Sequence, residues 1–408
     1  MKKRSAKGNF TRLVGFELRK AFLNPWMLVF LAVLLLMNGG KLWESYENKV
    51  EEWHGYESVY EDFYRQWKGP ITAEHITELM TIYGPLEEKF NNGGLSYAYS
   101  ESAYTYSEAL DNRFFGTLFA REMEYDYLYQ NEAVGIVTEA KKLADKYAAV
   151  GNHYRVRENE QIFRTFAGRK ITAFADTRWT EVWLNHDYSA MLVLLLTVFG
   201  LCGVFVTERE SQMYMLQRAS KLGGGATVMA KFTASALFVV TVCLLFFGED
   251  LLMLLVLSGH PEALDSPVYA IRLMETTPLN MTVGQFCLWS MVVRSFGVLV
   301  CGMFVLLLSC IATRVLYSFV AGFGAMMAFV ILQENCRAWA VFKWFDPLEL
   351  VMVRDLLSQT TFVNVLGFPV HTYLFVLTGM LLTGACVAAG ILHCNPGRME
   401  RGRRYVSV

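Results

Sequence analysis

Between Gly284 and Thr313 this chain runs for thirty residues with a single charge, Arg294, and that stretch decides what the protein can fold into. About twenty apolar residues in a helix cross the hydrocarbon of a bilayer. Within lipid a backbone must satisfy its own N–H and C=O groups, so such a run has to be helical. Five more runs of the same character lie at Phe22–Gly40, Tyr188–Val206, Phe232–Leu257, Val315–Gln333 and His371–Leu392. The chain is 54% hydrophobic and 18% charged, a balance outside the range of ordinary soluble domains. The expected fold class is an all-α polytopic membrane protein with six transmembrane helices. A mostly helical domain is expected between the first and second spans.

Positive charge orients the spans. Segment 1–21 carries Lys2, Lys3, Arg4, Lys7, Arg12, Arg19 and Lys20 against one acid, Glu17. Phe10, Leu13, Val14, Phe16 and Leu18 make it a basic elbow helix suited to a membrane surface. Asn24-Pro25 turns the chain into the first span, where a proline near the start is tolerated. Arg314 marks a short turn between the fourth and fifth spans, and the tail 393–408 holds Arg398, Arg401, Arg403 and Arg404. These segments and the net basic loop 207–231 are expected in the cytoplasm, together with both termini. Segments 41–187, 258–283 and 334–370 are then expected outside. In the last, AWAVFKWF and LELVMVRDLL read as two short amphipathic helices separated at Asp346-Pro347, lying at or dipping into the outer interface. The first span is longer than a signal-peptide core and lacks a small-residue cleavage site, so no cleavable signal is expected.

The insert 41–187 holds about 25 acidic against 16 basic residues. Trp53, Tyr56, Tyr60, Phe63 and Trp67 recur at three- and four-residue intervals, which predicts that the first span continues as a rigid helix beyond the membrane. Gly69-Pro70, Gly84-Pro85 and Asn91-Asn92-Gly93-Gly94 punctuate the next stretch. Glu132–Val150 is an amphipathic helix ending at Gly151-Asn152. The many aromatic residues read either as the core of a helical domain poor in aliphatic residues or as a surface for a ligand, a lipid headgroup or a partner.

Charges within spans are costly and therefore informative. Glu249 lies 18 residues above Lys231, while Arg294 and Glu334 each lie 20 residues above Arg314. At 1.5 Å per residue these reach about 27 to 30 Å from the inner surface, one level near the outer edge of the hydrocarbon. Glu249, Asp250, Arg294 and Glu334 are thus candidates for snorkelling, mutually paired charges or for an outer gate of ion pairs. No acid lies at mid-depth, which speaks against a proton or sodium relay. Ala321 with Ala325, Gly324 with Ala328, Gly384 with Ala388, and Ala385 with Ala389 let helices approach closely, within one protomer or between two.

Catalytic chemistry has no visible apparatus. Gly223-Gly224-Gly225 followed by Lys231 misses the phosphate-loop spacing and follows no strand. The histidines lack ligand spacing, no nucleophile elbow occurs, and the eight cysteines lie after the insert without a CxxC pair. No bound cofactor, metal or nucleic acid is expected.

Four features together carry a family resemblance. The basic elbow FELRKAFLNPW leads into the first span. The second span ends in a glutamate-headed amphipathic segment, Glu208 to Arg218, which returns through glycines to Lys231. Two short amphipathic helices precede the last span, and SPVYAIRLMETTPLNMTVGQF has the look of the matching outer loop. In these about 260 residues the chain resembles the type-2 permease superfamily of ATP-binding-cassette exporters, and within it bacterial members with a large extracytoplasmic insertion after the first span. The resemblance implies a multi-pass subunit of a bacterial plasma membrane, paired with a second permease copy. Each copy would sit on a separate cytoplasmic ATPase that holds ATP and magnesium. Phe16, Glu17, Arg19 and Lys20 of the elbow, with Glu208, Arg209, Glu210, Met213, Leu216, Arg218 and Lys221 of the loop, would form the ATPase-coupling surface. The cargo class expected is an amphipathic peptide, an antibiotic or a lipid-like molecule. The competing readings are a membrane-anchored extracellular ligand sensor or scaffold, and an ion-coupled secondary transporter.

Overall fold

The computed structural model describes residues 2–50, 54–213, 225–336 and 340–393. Trp53 of the aromatic repeat and the four arginines of the tail lie outside the described residues. The protein is mostly helical, and six helical stretches are long and apolar enough to cross a membrane: Pro25–Val50, Arg178–Glu210, Gly225–Ser258, Val283–Ile311, Val315–Asn335 and Thr372–His393. The elbow is helix α1 (Lys2–Ala21). Asn24 ends the turn after it and caps the first span, α2 (Pro25–Val50), its Oδ1 accepting from the Met27 amide at 2.8 Å. The helix runs past the apolar stretch, as its residues predict, and is described to Val50. Gly55, with φ of +89°, then redirects the chain into a separate helix, α3 (Glu57–Trp67), so the aromatic repeat is not one continuous rod.

The insert continues through strand β1 (Gly69–Pro70), α4 (Ala73–Asn91), α5 (Glu108–Phe115), a π turn at Gly116–Ala120, α6 (Arg121–Ala149), α7 (His153–Phe166) and strand β2 (Ala173–Phe174), which pairs antiparallel with β1. Helix α6 begins eleven residues before the predicted Glu132 and ends as expected, with Gly151 left-handed and Asn152 capping α7. Tyr60, Tyr64, Trp67, Phe114, Phe115 and Phe119 lie in the insert's buried core, stacked edge-on and face-on at 5.0 to 6.4 Å. Tyr97, Tyr99, Tyr104 and Tyr106 stay exposed, so the aromatic content divides between core and surface.

Helices α8 (Arg178–Asn185), α9 (Tyr188–Leu201) and α10 (Val206–Glu210) form the second crossing, and α11 (Gly225–Ser258) the third. Three short 3₁₀ turns lead to α12 (Val283–Ile311), started by a reciprocal capping box between Thr282 and Gln285. Helix α13 (Val315–Cys336) comes directly after it. Then come three short pieces, α14 (Ala340–Lys343), α15 (Leu348–Val351) and α16 (Val353–Leu357), a hairpin β3–β4 (Phe362–Val365, Phe368–His371) and α17 (Thr372–His393). LELVMVRDLL is therefore two pieces, broken at Met352. Leu366 and Gly367 both have positive φ in the hairpin turn. A leucine there is unusual, which is why no hairpin is recognisable from the residues alone.

The segment 344–351 does not lie at one end of the bundle. Gly297, the midpoint of α12, faces the Pro347 carbonyl oxygen so closely that a Cβ would sit 2.9 Å from it. On the other side the Trp344 ring occupies the space beside Gly379 of α17, where a Cβ would fall 1.5 Å from Cδ1. Two glycines therefore let this segment pack at the mid-height of α12. Of the small-residue pairs, Gly384 and Ala388 turn toward their own bundle, whereas Ala321, Gly324, Ala328, Ala385 and Ala389 are on exposed faces.

The insert is latched to the bundle rather than tethered by it. Asp176 and Arg178 form a buried two-point ion pair (2.7 and 2.6 Å), and Asp176 also accepts from the Tyr60 hydroxyl at 2.8 Å. Arg169 donates to Asn280 Oδ1 and to the Thr277 and Leu279 carbonyls before α12. Gln161 and Arg157 of α7 reach the carbonyls of Pro369 and Gly367 in the hairpin.

Candidate functional site

At the end of the bundle opposite the insert, α1, α10, α11 and the α12–α13 corner meet at an ionic hub. Glu17 is the one acid in a basic, partly apolar helix, and its carboxylate is carried inward to 3% exposure. Lys231 lies on α11, which starts at Gly225, so it is buried within the helix rather than placed at its head. Its ammonium donates to Glu17 Oε2 at 2.9 Å, to Glu208 Oε1 at 2.7 Å and to the Val204 carbonyl at 3.1 Å. Those three acceptors match the three donors of an ammonium. Lys20 donates to the same Glu208 oxygen at 2.6 Å from the half-exposed side. Two lysines and two glutamates thus fasten the elbow, the end of the second crossing and the base of the third. Stacking of Phe22 on Phe238, centroids 4.2 Å apart, continues that contact into the apolar layer.

Arg209 points the other way. Its guanidinium donates to the carbonyls of Cys310, Ile311 and Ala312 at 2.5, 3.2 and 2.7 Å, capping the C-terminus of α12 where the helix dipole is negative. Glu210 accepts from the Val315 amide at the start of α13. The predicted coupling residues therefore fall into two sets. Glu17, Lys20, Glu208, Arg209 and Glu210 hold helices to one another, while Phe16 (61% exposed), Arg19 and Met213 (50% exposed) face outward. Leu216, Arg218 and Lys221 lie outside the described residues. Sequence reasoning leaves Lys231 without a role. The signal available for it is one lysine at the head of an apolar run and one acid in a basic elbow.

Beside the hub a groove of about 810 Å³ opens between α2, α9 and α13. Trp26, Phe30, Phe199 and Phe319 line its walls, and Glu17, Lys20 and Lys231 lie at its polar end.

The predicted outer-gate residues are only partly brought together. Asn38 of α2 donates to Asp250 Oδ1 at 2.6 Å and to Glu249 Oε2 at 3.1 Å, and His186 Nε2 lies 3.2 Å from Asn38 Oδ1. Arg294 is 1% exposed between the rings of Trp183 and Phe247, its guanidinium carbon 5.0 and 5.7 Å from their centroids. None of its nitrogens has a hydrogen-bond partner among the described residues, and neither does Asp250 Oδ2. Glu334 is exposed on α13. The expectation of direct pairs linking Arg294 to Glu249, Asp250 or Glu334 is thus corrected for the described residues. The acids bond to an asparagine, and the arginine rests on aromatic faces. Sequence spacing puts them at one height but cannot tell which way each helix turns its face.

Among the described residues no group of histidine, cysteine or acidic side chains is arranged to hold a metal ion. No protein-family model and no curated protein sequence matches this chain.

Proposed function

We propose that this chain is the membrane-spanning subunit of an ATP-driven exporter of the type-2 permease superfamily. A separate cassette ATPase on the cytoplasmic side would bind ATP and magnesium and do the hydrolysis. The observation that carries the reading is the hub. Lys231 joins the elbow through Glu17 to the loop helix through Glu208, so a push on either is delivered to the base of the third span. A buried, fully bonded ion network transmits displacement because separating its members leaves charges uncompensated in a low-dielectric setting. Phe16, Arg19 and Met213 would meet the ATPase. The N-terminus, loop 207–231 and tail would be cytoplasmic, and the insert would stand outside a bacterial plasma membrane. The exposed small-residue faces of α13 and α17 suit pairing with a second permease copy. The groove, apolar along its length and charged at one end, favours amphipathic cargo over an ion.

The test is co-purification from native membranes with a tagged chain. A cassette ATPase is expected to copurify with the wild type and to be lost when Met213→Asp is combined with deletion of residues 214–218. Arg209 is unsuitable for such a test, because its substitution would also uncap α12. Absence of any cassette ATPase, or transport abolished by a protonophore at constant ATP, would overturn the assignment.

A further inference from the structure

In the hairpin that leads into the last span, Val365 pairs with Phe368, which leaves Leu366 and Gly367 as a two-residue loop. We propose that this turn is an interfacial anchor. It sets Leu366 and Phe368 among the phospholipid headgroups of the leaflet on the insert's side, with Arg157 and Arg164 of α7 binding their phosphates. The inference rests on α17 as a membrane span and not on the transport reading.

The first argument is what the turn presents. Both loop residues have positive φ, +53° at Leu366 and +86° at Gly367, a geometry that asparagine followed by glycine adopts readily and leucine only under strain. Asn364 Oδ1 fixes it by accepting from the Gly367 amide at 2.8 Å. The strained side chain is not buried in return: Leu366 is 96% exposed and Phe368 57% exposed. A leucine and a phenylalanine held out in this way gain nothing from folding in water. They gain by leaving water for the boundary between headgroups and acyl chains.

The second argument is position and charge, which select lipid as the occupant. Helix α17 has 22 residues. At 1.5 Å per residue that is about 33 Å, just enough to cross about 30 Å of hydrocarbon. Thr372 therefore lies at the edge of the hydrocarbon, and the four residues of β4 hold the turn within about 13 Å of it. The Arg157 guanidinium lies over the Phe368 ring, 4.3 Å from its centroid, and donates to the Gly367 carbonyl at 3.2 Å, so its charge is carried at the turn. Gln161 bonds the Pro369 carbonyl one helical turn on, and Arg164, exposed, follows on the same face of α7. The hairpin itself has no acidic residue. Apolar side chains beside arginines at the end of a span match the phosphates and upper acyl chains of a phospholipid leaflet.

The experiment uses the full chain with Cys336→Ala, Cys386→Ala and Cys394→Ala, and Leu366→Cys labelled with the fluorophore NBD, in nanodiscs of phosphatidylcholine and phosphatidylglycerol. Phosphatidylcholine carrying a doxyl spin label near its headgroup is expected to quench the emission. Acrylamide should quench it at least threefold less than it quenches NBD-labelled N-acetylcysteine in buffer, although the chain itself leaves the position open. Arg157→Gln with Arg164→Gln, which leaves the turn residues in place, should lower the doxyl quenching at least twofold. Phe368→Cys carries the label if the Leu366 variant fails to fold. Acrylamide quenching equal to that of the free conjugate would overturn the proposal. So would protection from acrylamide without doxyl quenching, the result if a second copy or another protein covers the turn, and so would doxyl quenching unchanged in the glutamine variant. Because the readout needs neither ATP nor a partner, its failure leaves the permease reading standing, and loss of ATPase co-purification leaves the anchor standing.

Discussion

Replacing Lys231 with methionine isolates the hub from everything else in the bundle. The side chains are similar in length, so packing is nearly kept while three hydrogen bonds are lost, to Glu17, Glu208 and the Val204 carbonyl. Glu208 keeps Lys20 at 2.6 Å, but Glu17, 3% exposed, loses its ion-pair partner. Breaking a buried pair from one side costs about 3 to 5 kcal/mol. If the bundle melts as one unit, that corresponds to a fall of about 5 to 10 °C in the thermal midpoint. Lys231→Met combined with Glu17→Leu removes both charges and should recover most of the loss, because an apolar pair of similar volume often matches a buried ion pair. The assay is heat denaturation of the purified chain in detergent, followed by tryptophan fluorescence, for the wild type, both single variants and the double. A single variant as stable as the wild type would refute the reasoning. So would a double variant whose loss equals the sum of the singles, since coupled neighbours should not be additive.

Other contacts make three further outcomes testable. Burial opposes ionisation of Asp176, but the Arg178 guanidinium and the Tyr60 hydroxyl prevail and hold its carboxyl at about 2. Its folded value lies below its unfolded one, so about 2 kcal/mol of stability present above pH 4 should disappear as pH falls toward 2. Asp176→Asn should flatten that part of a melting-against-pH curve, and an unchanged slope would contradict the pairing. Gly379→Ala should displace Trp344 from its stack on Phe375 (5.2 Å) and lower the melting midpoint by several degrees, whereas the same change at Gly324, which meets open space, should leave it within a degree or so. Arg294→Met breaks no hydrogen bond among the described residues and is expected to change stability by less than about 1 kcal/mol or to raise it; a loss above about 3 kcal/mol would mean that the guanidinium has a partner.

Much of this architecture is legible in the residue order, because the constraint behind it is local. An apolar run of twenty or thirty residues has to satisfy its backbone within itself, so six candidate spans can be read along the chain. The end of α6 at Gly151 and the turn at Asn24-Pro25 are likewise set by residues within a few positions of each other. What spacing could not supply was direction around each helix axis. It placed Glu249, Asp250 and Arg294 at one height, yet only packing made Asn38 bond both acids and settled Arg294 between Trp183 and Phe247. The segment 344–351 needed Gly297 and Gly379 from two different helices to make room, a coincidence invisible in either stretch alone. The hub is the sharpest case. Glu17 and Lys231 are 214 positions apart, each reads as a surface charge in its own neighbourhood, and the fold buries both against Glu208. The number of helices able to cross a bilayer is thus written into residue order, since it depends on hydropathy summed over neighbours. Which charges share one buried site depends instead on how helices distant in the chain turn their faces to each other, and that is a property of the folded bundle.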